Sequence, residues 1–275
     1  MKKLFITGTK AIFFFVGWAV LAGLLPIPDS PNGAVWRFWA ELIPFLCVVG
    51  LTLIFWLMEK RKIEMHIISK PFRSVCIGFG TGVLWLGAAI IILAGLGVMR
   101  ITATDTFPML WLWLLSALIN TIMQELLVRG YLYQMIKRNY NVVAAMVVTT
   151  ALFTFMHGGA FEAGIVSVLN VITMSILMTT VLEYIQSLIA PVMMHFIWNG
   201  VGGIIFGAVS LADDYPHLFT TAFTGNTLLS GGMPKMEGSI VVLTINIALT
   251  LLFLLFLKSN EKSRNVILQK MEYRK

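Results

Sequence analysis

Glu125 and Arg129 lie four residues apart in Gln124-Glu125-Leu126-Leu127-Val128-Arg129-Gly130, inside a stretch that is otherwise largely apolar. Two further motifs repeat the spacing, Phe153…His157 and His195…Asn199. On a helix, residues i and i+4 share a face. A carboxylate beside an imidazole can take a proton from water. A second imidazole with an amide can hold an oxygen on which negative charge develops. Alternatively, His157, His195 and Glu125 could ligate a divalent metal such as zinc that activates the water. Either arrangement could hydrolyse an amide. No Ser or Cys beside these residues suggests a nucleophile, so direct attack by water is favoured over an acyl-enzyme. The HExxH pattern is absent, which excludes a conventional zincin.

Each motif also has a structural reading. Glu125 and Arg129 could be a buried salt bridge that pins one helix to its neighbours. His157, followed by Gly158-Gly159, could be a histidine satisfied at a helix end. His195 and Asn199 could be an interhelical hydrogen-bonding pair. Charge in hydrocarbon is costly, however: even lenient scales give about 2.5–3.5 kcal/mol for Asp, Lys or Arg at a helix centre. A shared interior site accounts for all the motifs together. Gln124 is rotated by about 100° from Glu125, so the two side chains must point apart.

The elements that would carry these residues are membrane helices. The chain has 275 residues, 58% of them hydrophobic and 12% charged, with a mean hydropathy of +0.87; soluble domains carry about 25% charged residues. Apolar runs of spanning length fall at 5–25, 38–58, 75–98, 108–136, 142–157, 164–186, 188–208 and 239–257. The expectation is an all-α polytopic bundle of about eight transmembrane helices, one integral-membrane domain over 1–275 with its motif core at 108–208. The run 142–157 is short for a hydrocarbon core of roughly 30 Å. The fourth run continues to Arg138, about 45 Å at 1.5 Å per residue, so it must tilt or project from the bilayer. Counted along these antiparallel helices, Glu125 and His157 reach a similar depth. No internal repeat is evident, so an inverted-repeat transporter has no support. A proton carrier built on Glu125 is opposed by Arg129, because a close cation holds a carboxylate ionised.

Loop charge orients the bundle. With the N-terminus inside, sixteen Lys and Arg lie on the inner side and three, Arg37, Arg100 and Lys235, on the outer, with Arg129 inside a run. Both termini are therefore expected in the cytoplasm, and an uncleaved first span is expected because no small-x-small site precedes Pro26. The net charge of +7 is assigned to topology and to anionic membrane lipid, not to nucleic acid. The basic tail 258–275 should lie along inner headgroups as a short amphipathic helix with Val266, Ile267 and Met271 on one face. The loop 209–238, with Asp213 and Asp214, should be irregular or partly re-entrant on the outer face. Cys47 and Cys76 fall in apolar runs and read as small buried hydrophobes rather than a disulfide or zinc pair.

Taken in order, the three motifs resemble those of the CPBP family, the CAAX protease and bacteriocin-processing intramembrane proteases, which show EExxxR, FxxxH and HxxxN or HxxxD on an eight-helix core. The first matches Gln124-Glu125…Arg129, the second Phe153…His157, the third His195…Asn199. The resemblance implies an intramembrane endopeptidase acting on a membrane-associated peptide or protein in a bacterial plasma membrane. It also implies catalytic roles for Glu125, Arg129, His157, His195 and Asn199. Relatives trim prenylated CaaX proteins, or are linked to bacteriocin maturation and self-immunity (the Abi-like members), some as non-proteolytic partners. The departure is Gln124, which stands where the family has its water-activating Glu. Glutamine has no titratable carboxylate. Three outcomes stay open at this point: Glu125 acts as the base, His157 acts alone or with a metal, or the chain is a catalytically degraded membrane scaffold or self-immunity protein.

Overall fold

Asparagine and proline set several of the helix starts. The structure is a computed structural model that describes residues 2–210 and 215–272, with side chains described through residue 260. Helix α1 spans Lys2–Leu24, and α2 spans Gly33–Met58 behind Asn32, whose side chain accepts from the N–H groups of Ala34 and Val35. Helix α3, Pro71–Gly95, has a proline in its first turn, where the missing N–H costs nothing. Helix α4, Leu110–Glu125, runs into a π-helical segment, Leu126–Leu132, and then α5, Tyr133–Asn139. Asn141 caps α6, Val142–Met156, by accepting from the Ala144 N–H. Then follow α7, Gly159–Ala163, α8, Ile165–Ile185, and α9, Ile189–Phe196, which passes into a second π-helical segment, Ile197–Ile205. A short α10, Thr227–Ser230, and a 3-10 turn, Met236–Gly238, precede α11, Ile240–Glu272.

Among the described residues, six helices are long and apolar enough to cross a membrane, the composite 110–139 being one of them. The shorter apolar helices Val142–Met156 and Ile189–Ile205 bring the set to eight, in the places the hydropathy predicts. The composite 110–139 and α8 are the most buried of the long spans, while α1, α2, α3 and α11 turn large apolar side chains such as Phe13, Leu53, Phe79 and Leu255 outward. Exposed apolar surface on this scale is what a hydrocarbon solvent accommodates.

Several expectations need correction. The fourth span is not one straight rod: its backbone leaves helical geometry at Gly130 (φ −73°, ψ −107°), inside the π-helical segment. The loop 209–238 is not merely irregular. Its strand β2, Phe219–Phe223, pairs antiparallel with β1, Met99–Thr104, through a register shift between Ile101 and Ala103. A two-stranded ribbon is thus added to the helical bundle. Its two halves lie far apart in the chain and each is too short for periodicity to reveal. Asp213 and Asp214 lie outside the described residues. The tail is not a separate helix, since α11 runs unbroken to Glu272; the side chains of Val266, Ile267 and Met271 lie outside the described residues. Both cysteines are free, but Cys76 is exposed on α3 and Cys47 only half-buried.

The contact that matters most for positioning is α3 against α9. A Cβ on Gly78 would lie 2.5 Å from the Ala190 carbonyl oxygen and 2.8 Å from its Cα. One on Gly82 would lie 3.1 Å from the Met194 Cα. Two glycines four residues apart let the backbones approach closely, which is how helices associate in lipid without a hydrophobic driving force. Gly80, between them, meets nothing within 4 Å. Gly78→Ala is therefore expected to lower stability by about 1–3 kcal/mol by overpacking and to reduce activity through displacement of His195. Gly80→Ala should leave both near the parent. Thermal unfolding in detergent checks the pair, and equal behaviour of the two variants would contradict this packing.

Candidate active site

The two π-helical segments occur where the motif residues are. Arg129 lies within the first, and Asn199 lies within the second, which begins just after His195. Such bulges shift the helical register and are frequent at functional sites.

Arg129 is fully buried, and its guanidinium is saturated. Nη1 donates to both Glu125 carboxylate oxygens at 2.8 Å. Nη2 donates to the Ser175 carbonyl at 2.9 Å and to its hydroxyl at 2.8 Å. Nε donates to Thr179 Oγ1 at 3.1 Å. Five N–H groups thus meet five acceptors, three of them on α8. Ser175 and Thr179 carry the i, i+4 spacing that marks the other motifs, so the signal for them was present in the sequence and unused. Ser175 is in turn linked to α6 by the Thr150 hydroxyl at 3.1 Å.

Glu125 is also buried and is shared. Its Oε1 accepts from His195 Nδ1 at 2.9 Å. A carboxylate held by a guanidinium can only accept, so Nδ1 bears the proton. His195 Nε2 is buried and has no partner. The Phe153 ring fills the space between the remaining groups. The Arg129 guanidinium carbon lies 5.0 Å from its centroid, the His157 ring 4.3 Å and the His195 ring 5.8 Å, the last edge-on. The phenylalanine of the second motif is therefore a spacer between the two imidazoles and a face for the cation.

His157 ends α6. Its Nδ1 lies 2.7 Å from the Phe153 carbonyl, which only accepts, so here too the proton is on Nδ1. Nε2 keeps its lone pair. The ring lines a cavity of about 450 Å³ together with Gly158, Gly159, Ser167, Ser210 and Glu237. Glu237 is a carboxyl that motif reading did not find, because it comes from the loop 209–238.

Of the residues expected at the site, Glu125, Arg129, His157 and His195 converge around Phe153. Asn199 is buried about one turn beyond His195. Gln124 belongs to a different network. Asn120 Nδ2 donates to Glu41 Oε2 at 2.7 Å, which turns its Oδ1 toward Gln124, whose Nε2 donates at 2.7 Å. Gln124 Oε1 is left buried without a partner. For a metal the fit is poor. Both Glu125 oxygens are held by Arg129, one also by His195, and no group of three or more His, Cys, Asp or Glu among the described residues could hold an ion.

Residues 106–201 match the family described as type II CAAX prenyl endopeptidase Rce1-like. No curated protein and no solved structure matches. The matched segment, about a third of the chain, holds Glu125, Arg129, Phe153, His157, His195 and Asn199, all the motif residues of the cluster just described, and over that segment the chain is similar to this family of CAAX prenyl endopeptidases.

Proposed function

We propose that the chain is an intramembrane endopeptidase that hydrolyses a membrane-associated peptide by direct attack of water. The observation that carries this reading is the pairing of two imidazoles with different surroundings. His157 has a basic Nε2 on a ring at a cavity wall, and His195 has an unpartnered Nε2 on a ring backed by a carboxylate. His157 Nε2 takes the proton from water as the oxygen adds to the scissile carbonyl. Glu125 accepts from His195 Nδ1–H, so that the free lone pair of His195 Nε2 can accept from and orient the attacking water, and the Asn199 amide donates to the oxyanion. Arg129 holds Glu125 ionised and fixed. Glu125 acts through His195 and is a positioning residue. Gln124 has no part in proton transfer, and no step is routed through a metal. With both termini in the cytoplasm, as the charge distribution favours, the His157 cavity opens toward the outer leaflet.

The test uses the purified chain in phosphatidylethanolamine–phosphatidylglycerol vesicles. A mixture of membrane-anchored peptides is supplied, farnesylated CaaX peptides among them, and fragments are read by mass spectrometry. The chain is expected to cleave with Gln124 in place. Gln124→Glu should change the rate by less than about tenfold, because no group touching the reacting atoms is altered. Cleavage seen only in Gln124→Glu would show that the natural chain is a catalytically degraded scaffold and end this reading.

A further inference from the structure

Glu237 is the second ionisable group on the His157 cavity, and the hydrolysis described above leaves it idle. Its turn is built with care. Asn170 Nδ2, on α8, donates to the Glu237 carbonyl at 2.9 Å and to the Ser239 carbonyl at 3.0 Å. The Asn170 carbonyl accepts from Asn246 Nδ2 at 3.3 Å, and Asn246 Oδ1 accepts from the Trp85 indole at 2.7 Å. Backbones then meet where side chains would not fit. Gly231, in the left-handed region at φ +82°, would place a Cβ 1.5 Å from the Lys235 carbonyl oxygen, and Gly238 would place one 2.3 Å from the Gly231 oxygen.

The carboxyl itself faces the Trp198 indole N–H and the backbone N–H of Ser210. Trp198 lies between His195 and Asn199 in sequence and stacks on Trp85 at 4.2 Å. Its indole N–H makes no hydrogen bond of ordinary length, so the Glu237 carboxyl is the polar group available to it. Among the described residues Lys235 is the charged side chain that acts on Glu237, and its ammonium is drawn to the Gly207 carbonyl at 2.6 Å. His157 is the other titratable group on the cavity wall.

We propose that Glu237 is a catalytic residue, the acid that protonates the leaving nitrogen. The inference rests on the hydrolytic reading above. Water adds to the carbonyl carbon while His157 Nε2 takes its proton. The C–N bond then breaks, its electron pair stays on nitrogen, and the Glu237 carboxyl supplies the proton that makes the amine. The imidazolium of His157 returns its proton to the Glu237 carboxylate through the shared cavity, and nothing is oxidised or reduced. Burial pushes the Glu237 carboxyl up to about 8, so the group still carries a donatable proton at neutral pH. A carboxylic acid that must be protonated to act gives a rate that falls as pH rises through that value.

The experiment compares the parent with Glu237→Gln in vesicles on two probes. One is the most rapidly cleaved peptide of the mixture, and the other is the p-nitrophenyl ester of its acyl half, whose leaving group departs without a proton. Glu237→Gln is expected to slow the peptide by about 100-fold, to leave the ester near the parent rate, and to abolish the alkaline fall in the parent's peptide profile. Equal slowing of both probes would mean that Glu237 only holds its turn, and would overturn the inference. So would a parent profile without an alkaline fall. In both cases the hydrolytic reading survives, because the parent still cleaves. A parent that cleaves no peptide removes that reading and this one with it.

Discussion

Arg129→Ala should destabilise the protein by about 3–5 kcal/mol, the cost of breaking a buried ion pair by removing one partner. The substitution strips Glu125 of both guanidinium hydrogen bonds and removes the guanidinium from the Ser175 carbonyl and the Ser175 and Thr179 hydroxyls, of which the carbonyl keeps the Thr179 hydroxyl at 2.9 Å. Among the described residues His195 Nδ1 is then the one donor left to the carboxylate, too little for a charge wholly out of solvent. The cavity left in front of Phe153 adds to the loss. The double variant Glu125→Gln/Arg129→Met separates electrostatics from packing. It removes both charges and keeps most of the volume, so its unfolding midpoint in detergent should recover much of the deficit. Peptidase activity should not recover, because His195 then lacks its carboxylate. A single Arg129→Ala as stable as the parent would mean that Glu125 is neutral or hydrated, against the geometry described.

His157→Gln should lower kcat by about 10²–10⁴-fold, the usual contribution of a positioned general base. Glutamine can replace the hydrogen bond to the Phe153 carbonyl and occupies a similar space, so unfolding should move little. It cannot replace the basic Nε2. The loss should fall on kcat rather than on KM, since the imidazole acts on water and not on substrate binding. His195→Gln should also be slow, yet its lost partner is the buried carboxylate of Glu125, so it alone of the two histidine variants should unfold early. Full activity in His157→Gln on the peptide mixture would remove the assignment of the base.

Much of this arrangement was readable from hydrophobic runs and from polar residues at helical spacing. Eight apolar helices stand where the runs fall, and Glu125 meets His195 across seventy positions of sequence. Helical periodicity reports which face a residue occupies, and depth counting along antiparallel helices brings two motifs to one level. What periodicity cannot report is a change of period. The π-helical segments at 126–132 and 197–205 re-aim the residues after Glu125 and His195, and no residue type announces them. The route of Gln124 was equally hidden. Its rotation away from Glu125 was legible, but its bond to Asn120, and through it to Glu41 on α2, depends on which helix lies beside it. Glu237 was missed for a third reason: it sits in a loop without period, and only tertiary packing brings that loop over the end of α6.

The shortness of α6 has a consequence for the lipid around it. Val142–Met156 has 15 residues, which rise about 22 Å at 1.5 Å each, against hydrocarbon of roughly 30 Å. Acyl chains beside such a helix must compress or tilt to cover it, and headgroups sink toward its tip. That tip is His157. The bilayer is expected to be dimpled at the imidazole, and under the proposed hydrolysis a scissile bond would reach it with its carbonyl still wetted, without crossing a full leaflet of oil.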